Sequence, residues 1–256
     1  MGKRINLAGF IAATLAVASI QAKAVELDLR TAGASGTING AFFDQINPQS
    51  TGTGVLDPFL RIQANDQEQG YNSNAAPLDD KSGTWTHDLL LSSLGAVDYK
   101  DVDCYQFVLD INENTGSNNE LLSLDSVKIY TSTTPNQSVA LGSLIGTLRY
   151  DLDTGGDNAI LLDYSLNSGS GSGDMNMFVP ISLFAGVPSN EQYLILYSHF
   201  GAKGFDSEGK SLRNGYDSSD GFEEWAGVIG VIPEPNTVVL VGISCLSLAG
   251  LVRRRR

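Results

Sequence analysis

The chain of 256 residues has few of the side chains that most often carry out chemistry, with only two His and two Cys. It contains neither a Gly-x-Ser-x-Gly nucleophile turn nor a His-Glu-x-x-His zinc motif. His87 and His199 are far apart in the sequence, and Cys245 lies in an apolar C-terminal stretch away from Cys104. We therefore expect neither a disulfide nor catalysis by these groups.

Positive charge is also scarce, because 16 Lys and Arg stand against 29 Asp and Glu, for a formal net charge of -13. Seven of the basic residues lie in segments 1–24 and 233–256, which together hold a single acidic residue. Segment 25–232 is therefore even more acidic than the whole chain. Such a surface repels phosphate backbones, so nucleic acid is not an expected partner.

The first 24 residues have the pattern of a secretory signal peptide. Lys3 and Arg4 precede an apolar stretch from Leu7 to Ile20, and the small-residue triplet Ala22-Lys23-Ala24 follows. We predict export through the secretion translocon and cleavage by signal peptidase before Val25. The alternative, an uncleaved anchor helix, is less consistent with the small residues Ala22 and Ala24.

Residues 233–256 combine a proline-flanked tripeptide, an apolar stretch and a basic tail. The tripeptide is Pro233, Glu234 and Pro235; the apolar stretch runs from Thr237 to Val252; the tail is Arg253, Arg254, Arg255 and Arg256. As a helix, Thr237 to Val252 rises about 24 Å, close to the thickness of the bilayer core once arginine snorkelling is included. We predict one transmembrane helix, with the arginines retained on the cytoplasmic side as a stop-transfer signal.

This order of tripeptide, apolar helix and arginine run resembles the PEP-CTERM sorting signal of bacterial exported proteins. Asn236 stands where that family commonly has Ser or Ala. The resemblance implies an exosortase as partner, a transient precursor in the inner membrane, and a mature protein at the cell surface or outside the cell.

Between the two ends, period-two alternation predicts an all-β domain over residues 25–232. Tyr105 to Ile111, Val127 to Tyr130, Ala159 to Leu166 and Tyr193 to Tyr197 have strand patterns, and Gly- and Asn-rich turns separate them. Val25 to Leu29, Ile38 to Phe43 and Phe59 to Ile62 are further expected strands. The spacing favours a two-sheet antiparallel sandwich, of which a jelly roll is one form. We expect a surface loop over Gln63 to Ser82 and a short helix over His87 to Leu94.

Three phrases in this middle part, VLDINENTGSNNELLSLDSVKIYTS, LDYSLNSGSGSGDM and FEEWA, resemble a recurrent type of PEP-CTERM exoprotein. No activity is assigned to that type, so the resemblance supports a domain boundary and implies no mechanism.

Two acidic turns have oxygen ligands at the alternate positions that calcium sites use. One contains Asp110, Asn112 and Asn114, with Glu120 further on; the other contains Asp151, Asp153 and Asp157. Neither has a Glu at the twelfth position of an EF-hand loop. Asn and Asp also favour β-turns through their own hydrogen bonds, so a purely structural role stays open.

These observations favour a non-catalytic exported surface or matrix protein associated with extracellular polysaccharide or biofilm. A carbohydrate-binding module with calcium-stabilised loops is the first alternative, and a secreted hydrolase with dispersed carboxylates the second. Aromatic rings that could stack on a sugar are Tyr130, Tyr150, Tyr164, Tyr216, Trp85 and Trp225, although core packing is the more common role of such residues.

Overall fold

The computed structural model describes residues 23–47, 57–116, 119–171, 173–188, 190–219 and 221–228. The predicted transmembrane helix, the sorting tripeptide, the arginine tail and almost all of the signal peptide lie outside these residues. In the part described, no helix is long and apolar enough to cross a membrane.

The described chain is all-β and contains no α-helix. Its strands are β1 (Glu26–Asp28), β2 (Ser35–Ile38), β3 (Ala41–Gln45), β4 (Pro58–Ile62), β5 (Asn65–Asp66), β6 (Glu68–Tyr71), β7 (Leu89–Leu90), β8 (Ala96–Tyr99), β9 (Val102–Asp110), β10 (Leu121–Ser132), β11 (Thr147–Asp151), β12 (Ala159–Asp163), β13 (Met175–Pro180), β14 (Tyr193–Phe200), β15 (Ser218–Ser219) and β16 (Glu223–Gly227). Short 3-10 turns cover Gly83–Trp85, Leu91–Ser93, Leu141–Ser143, Tyr164–Leu166, Ile181–Phe184 and Ala202–Gly204.

Two seven-stranded sheets form a sandwich-like domain. Sheet A has the order β1-β12-β10-β14-β6, with β11 paired to β10 and β7 to β14. Sheet B has the order β2-β3-β13-β9-β16-β4, with β8 paired to β9. The predicted antiparallel pairing is confirmed for all described strands except β1, which runs parallel to β12.

The core lies between the sheets and follows the predicted alternation. Phe107 and Leu109 of sheet B and Ile160 of sheet A are fully buried. Across the core, the Trp225 indole donates a hydrogen bond to Ser198 Oγ at 3.1 Å. Because both partners are buried, this bond satisfies polar groups that would otherwise be costly inside the protein.

The predicted single strand from Ile38 to Phe43 is instead a hairpin. Ile38 pairs with Ala41, and Asn39 and Gly40 form the two-residue turn with φ angles of 50° and 87°. Positive φ at both turn positions is typical of a type I′ turn, and Asn-Gly is its most favourable sequence.

The loop prediction for Gln63 to Ser82 is wrong, because this segment contributes β5 and β6. In β6, Glu68 and Tyr71 are buried, and Tyr71 pairs with Tyr197 of β14. Gly70 explains part of this packing: a Cβ there would lie 1.8 Å from an Asp80 carboxylate oxygen. Because Gly70 has no side chain, the Asp80 carboxylate can pack directly against β6.

The helix prediction for His87 to Leu94 is also wrong. Leu89–Leu90 pairs with the start of β14, and a 3-10 turn follows at Leu91–Ser93. Leu89 and Leu94 are buried while Leu90 is exposed. Pairing with β14 provides hydrogen bonds for the backbone and still buries Leu89. A helix of so few residues would be only marginally stable, so the strand conformation is favoured.

Candidate functional site

Asp110 and Asp174 lie side by side at the ends of adjacent strands in sheet B. Leu109 pairs with Met175, so in the same antiparallel register Asp110 stands opposite Asp174. Each carboxylate accepts a hydrogen bond from a backbone amide on the other's segment: Asp110 from Gly171 at 2.5 Å and Asp174 from Ile111 at 2.8 Å. The pair therefore connects the end of β9 to the Gly- and Ser-rich segment before β13.

Both carboxylates are buried, and each has one oxygen atom without a hydrogen-bond partner. Burial raises the pKa of Asp110 to about 6. Burial also holds the pKa of Asp174 well above its usual range, and the charge of Asp110 adds to that effect. Such a pair can hold a proton at neutral pH or share a hard cation.

A third carboxylate continues the same row of the sheet. Glu224 of β16 pairs with Asp110 on one side and with Arg61 of β4 on the other. The Arg61 guanidinium donates to Glu224 at 2.6 Å and stacks on Trp85, with 3.7 Å to the ring centroid. Arg61 therefore neutralises Glu224, whereas Asp110 and Asp174 have no ion-pair partner among the described residues.

The other residues of the first predicted calcium segment have different contacts. The Asn112 and Asn114 side-chain amides donate to the backbone oxygens of Phe222 at 3.2 Å and Ser219 at 2.8 Å. These bonds hold the loop after β9 against the segment before β16. Glu120 has a buried carboxylate oxygen without a partner. The structure thus pairs Asp110 with Asp174, a residue that the local spacing did not indicate.

The second predicted segment surrounds a lysine. Lys128 Nζ lies 2.7 Å from Asp151 and 3.8 Å from Asp153, and Asp153 also accepts from Ser126 Oγ at 2.8 Å. Asp157 is exposed, with Lys203 at 3.9 Å. The Lys128 ammonium supplies the positive charge that a calcium ion would bring to Asp151 and Asp153.

Three buried glutamates, Glu68, Glu113 and Glu223, were not singled out from the sequence. Their exposed fractions are 1%, 4% and 0%. A signal for two of them was present, since Glu113 is two residues after the inward-facing Ile111 and Glu223 is two residues before the inward-facing Trp225. Alternation places both side chains on the core face.

The outer face of sheet B carries a cluster of three aromatic rings, Phe42, Tyr99 and Phe178. Tyr99 stacks on Phe178 with centroids 4.0 Å apart, and its hydroxyl donates to Asp44 at 2.6 Å. Beside the rings, Gln106 and Asn176 are joined by a hydrogen bond of 2.9 Å. Aromatic rings flanked by amide and carboxylate groups can bind a polar ring by stacking and hydrogen bonding.

The aromatic residues predicted as sugar-stacking candidates have mixed positions. Trp225 and Tyr150 are buried in the core, so core packing is confirmed for them. Trp85 is 43% exposed, but Arg61 covers one of its faces. The half-buried candidates are Tyr130, Tyr164 and Tyr216.

A cleft of about 540 Å³ opens beside the 3-10 turn at Ile181–Phe184. Its wall is mainly apolar and includes Tyr105, Phe184 and Val187, with Glu191 as its charged group. Arg149 donates to Glu191 at 2.9 Å. The cleft therefore offers an apolar wall and a carboxylate that is already paired.

Across the described ranges, no three or more His, Cys, Asp or Glu side chains form a ready-made metal group. Cys104 is buried and free, and burial raises the pKa of its thiol, which makes it a poor nucleophile. It packs as a small hydrophobic residue, as predicted.

Comparisons with protein-family models, with curated proteins and with solved structures give no match to this chain.

Proposed function

We propose that this is a non-catalytic exported protein that is processed by an exosortase and acts at the cell surface or in the extracellular matrix with polysaccharide. The observation that carries the proposal is the pairing of an N-terminal secretory pattern with the order Pro233-Glu234-Pro235, apolar stretch and Arg253 to Arg256. The strongly acidic segment between these ends agrees with a domain that works in water or beside cationic groups.

In this proposal, the translocon exports the chain and signal peptidase removes residues 1–24. The apolar stretch from Thr237 to Val252 then stops in the inner membrane, because each arginine costs about 2.5 to 3.5 kcal/mol at the membrane centre. The tripeptide is thereby presented near the outer face to the exosortase, which releases the two-sheet domain from its anchor.

The environment of the acidic side chains supports a non-catalytic role. Glycoside hydrolases place two carboxyl groups about 5 to 9.5 Å apart across an open substrate cleft. Asp110 and Asp174 are instead buried and accept hydrogen bonds from backbone amides. Carboxylates used in this way stabilise loops.

A second candidate function, carbohydrate binding, is favoured by the aromatic cluster of Phe42, Tyr99 and Phe178 on the outer face of sheet B. Tyr99 supplies a ring, and Asp44, Gln106 and Asn176 supply polar groups beside it. In this candidate the calcium-stabilised loop is the one next to Asp110 and Asp174. The two proposals are compatible, since a matrix protein can act by binding a glycan.

Sorting is tested by replacing Pro233, Glu234 and Pro235 with alanine in the full chain, in a host that has the cognate exosortase. We expect the variant to be exported and folded but retained in the membrane fraction, whereas the wild-type protein leaves it. Equal release of both proteins would argue against the sorting role of the tripeptide.

A further inference from the structure

Glu223 is buried in the interior, and within the described residues its carboxylate has no hydrogen-bond or ion-pair partner. Trp225, two residues later in β16, faces the core, so Glu223 faces the same way. Its exposed fraction is 0%, and neither of its carboxylate oxygens has a hydrogen-bond partner. A buried carboxylate in this state is costly unless a proton or a cation joins it.

Glu113 lies next to Glu223 on the same face. Glu224 of β16 pairs with Asp110 of β9. One step further in this antiparallel register, Glu223 stands opposite Ile111. Glu113 is the next residue after Ile111 on the same face. The two segments are in close contact there, because a Cβ at Gly221 would lie 1.6 Å from the backbone oxygen of Asn112. Diagonal neighbours of this kind are within reach of each other's side chains.

One oxygen of the Glu113 carboxylate is already fixed. Oε2 accepts from the Ser219 backbone amide at 2.9 Å and from the Ser219 hydroxyl. The other oxygen, Oε1, is buried without a partner. Glu113 is thus held by the segment before β16 and keeps one free ligand atom.

Glu68 approaches from the other sheet. It stands opposite Phe200 in the pairing of β6 with β14, and both side chains are buried. Its Oε2 accepts from the Ala64 amide at 2.7 Å, while Oε1 has no partner. Ser219, which holds Glu113, pairs with Asn65 of β5, and β5 directly precedes β6, which begins at Glu68. This pairing brings the segment that holds Glu113 next to the start of β6.

Together these glutamates bring four unpartnered carboxylate oxygens to one end of the sandwich. Within the described residues, none of the ion pairs involves any of the three. All the donor atoms available are oxygens, which matches the preference of calcium over zinc. Calcium takes six to eight oxygens, so backbone carbonyl and serine hydroxyl groups would complete its shell.

We propose that Glu68, Glu113 and Glu223 bind a calcium ion between the two sheets. Among the described residues these side chains do not form a ready-made metal group. On ion binding, the Glu223 side chain, whose oxygens have no hydrogen bond to break, turns toward the free oxygens of Glu113 and Glu68. The ion ties β6 of sheet A to β16 and to the loop after β9 in sheet B. This inference does not depend on the proposed sorting or glycan binding, because it concerns the interior of the domain.

The test uses the purified full-length chain, stripped of metal with EDTA and titrated with calcium chloride by calorimetry and in thermal melts. We expect calcium binding and a rise in Tm at about 2 mM calcium, a range in which extracellular modules bind it. Magnesium chloride at equal ionic strength should give a clearly smaller rise. The absence of a calcium-specific shift would overturn the proposal.

Glu223→Gln is the decisive variant, since it keeps the shape of the side chain and removes its charge. In EDTA it should melt at the same temperature as the wild-type protein or higher, and its calcium affinity should fall by at least about tenfold because a charged ligand is lost. Glu113→Gln should give the same loss and replaces Glu223→Gln if that variant does not fold.

Asp125→Asn is the matched control, because it removes the charge of a buried carboxylate in sheet A that also has one unpartnered oxygen. We expect this variant to bind calcium with the affinity of the wild-type protein. Full calcium affinity in both glutamate variants, or its loss in Asp125→Asn alone, would assign the ion to another site and contradict the proposal.

Discussion

Asp110, the last residue of β9, stands opposite Asp174, which directly precedes β13. Asp174 accepts a hydrogen bond from the Ile111 amide, next to Asp110, and Asp110 accepts one from the Gly171 amide, three residues before Asp174. This reciprocal arrangement fixes two loops with two buried carboxyl groups. The hydrogen bonds favour the carboxylate forms, while burial and mutual repulsion favour protonation. The balance makes the pair sensitive to substitution, pH and cations.

Substitution of Asp174 separates these opposing effects. Asp174→Asn retains an oxygen that can accept from the Ile111 amide and removes the charge beside Asp110, so we expect stability at pH 8 in EDTA to be unchanged or increased. Asp174→Ala leaves the Ile111 amide without its partner, which costs about 1 to 3 kcal/mol. Urea denaturation of the full chain measures both, and equal destabilisation by the two variants would contradict the account.

Stability should fall as pH rises from 5 to 8 in the absence of divalent cations. Burial raises the pKa of Glu68 to about 8, of Asp80 and Glu113 to about 7, and of Asp110 to about 6. In the unfolded chain the pKa values of these groups are about 4, so between pH 5 and 8 the folded state binds more protons than the unfolded state. Their contribution to the free energy of unfolding is complete below pH 4 and is lost as the pH rises through 6 to 8. Thermal melts in EDTA give the measurement, and a Tm that rises over this interval would be inconsistent with buried, unpaired acids.

Glycan binding, if it uses the outer face of sheet B, should depend on Tyr99. Tyr99→Ala removes the ring that stacks on Phe178 at 4.0 Å, and we expect its glycan-array signal to drop to background while the far-ultraviolet circular dichroism is retained. Trp85→Ala is the control, since Trp85 stacks on Arg61 of β4, at the opposite edge of sheet B from β3 and Phe42. Binding that survives Tyr99→Ala but disappears with Trp85→Ala would place the ligand elsewhere.

The hairpin turn at Asn39 and Gly40 should be sensitive to a side chain on the glycine. Gly40→Ala places a Cβ on a residue with φ of 87°, which should cost about 1 to 2 kcal/mol by backbone strain, since open space surrounds the site. Gly142→Ala is the matched control, because a Cβ there also meets open space and its φ is not positive. Equal urea midpoints for the two variants would show that the turn is not strained.

The sequence allowed the all-β class to be predicted because alternation is a local property. Phe107, Leu109 and Ile160 were placed on the core face from their own neighbours, and the structure buries all three. The Asn-Gly turn was also a local signal, but the surrounding apolar residues favoured one continuous strand and the hairpin was missed.

The candidate site could be predicted only in part, because its contacts cross between strands. Asp110 was selected from local turn spacing, whereas its neighbour Asp174 is brought beside it by the pairing of Leu109 with Met175. Glu68 comes from a segment predicted as a loop, and its burial follows from pairing with β14. Register between distant strands depends on the whole core, so a single sequence does not supply it.

The central claim, export followed by removal of the C-terminal anchor, is tested most directly by mass spectrometry of intact protein from the surface and medium fractions. In a strain with the cognate exosortase, we expect mature protein that begins at Val25 and lacks Arg253 to Arg256. In a strain without the enzyme, the Arg tail should remain and the protein should stay with the membrane. Mature surface protein that still carries Arg253 to Arg256 in the presence of active exosortase would contradict the claim.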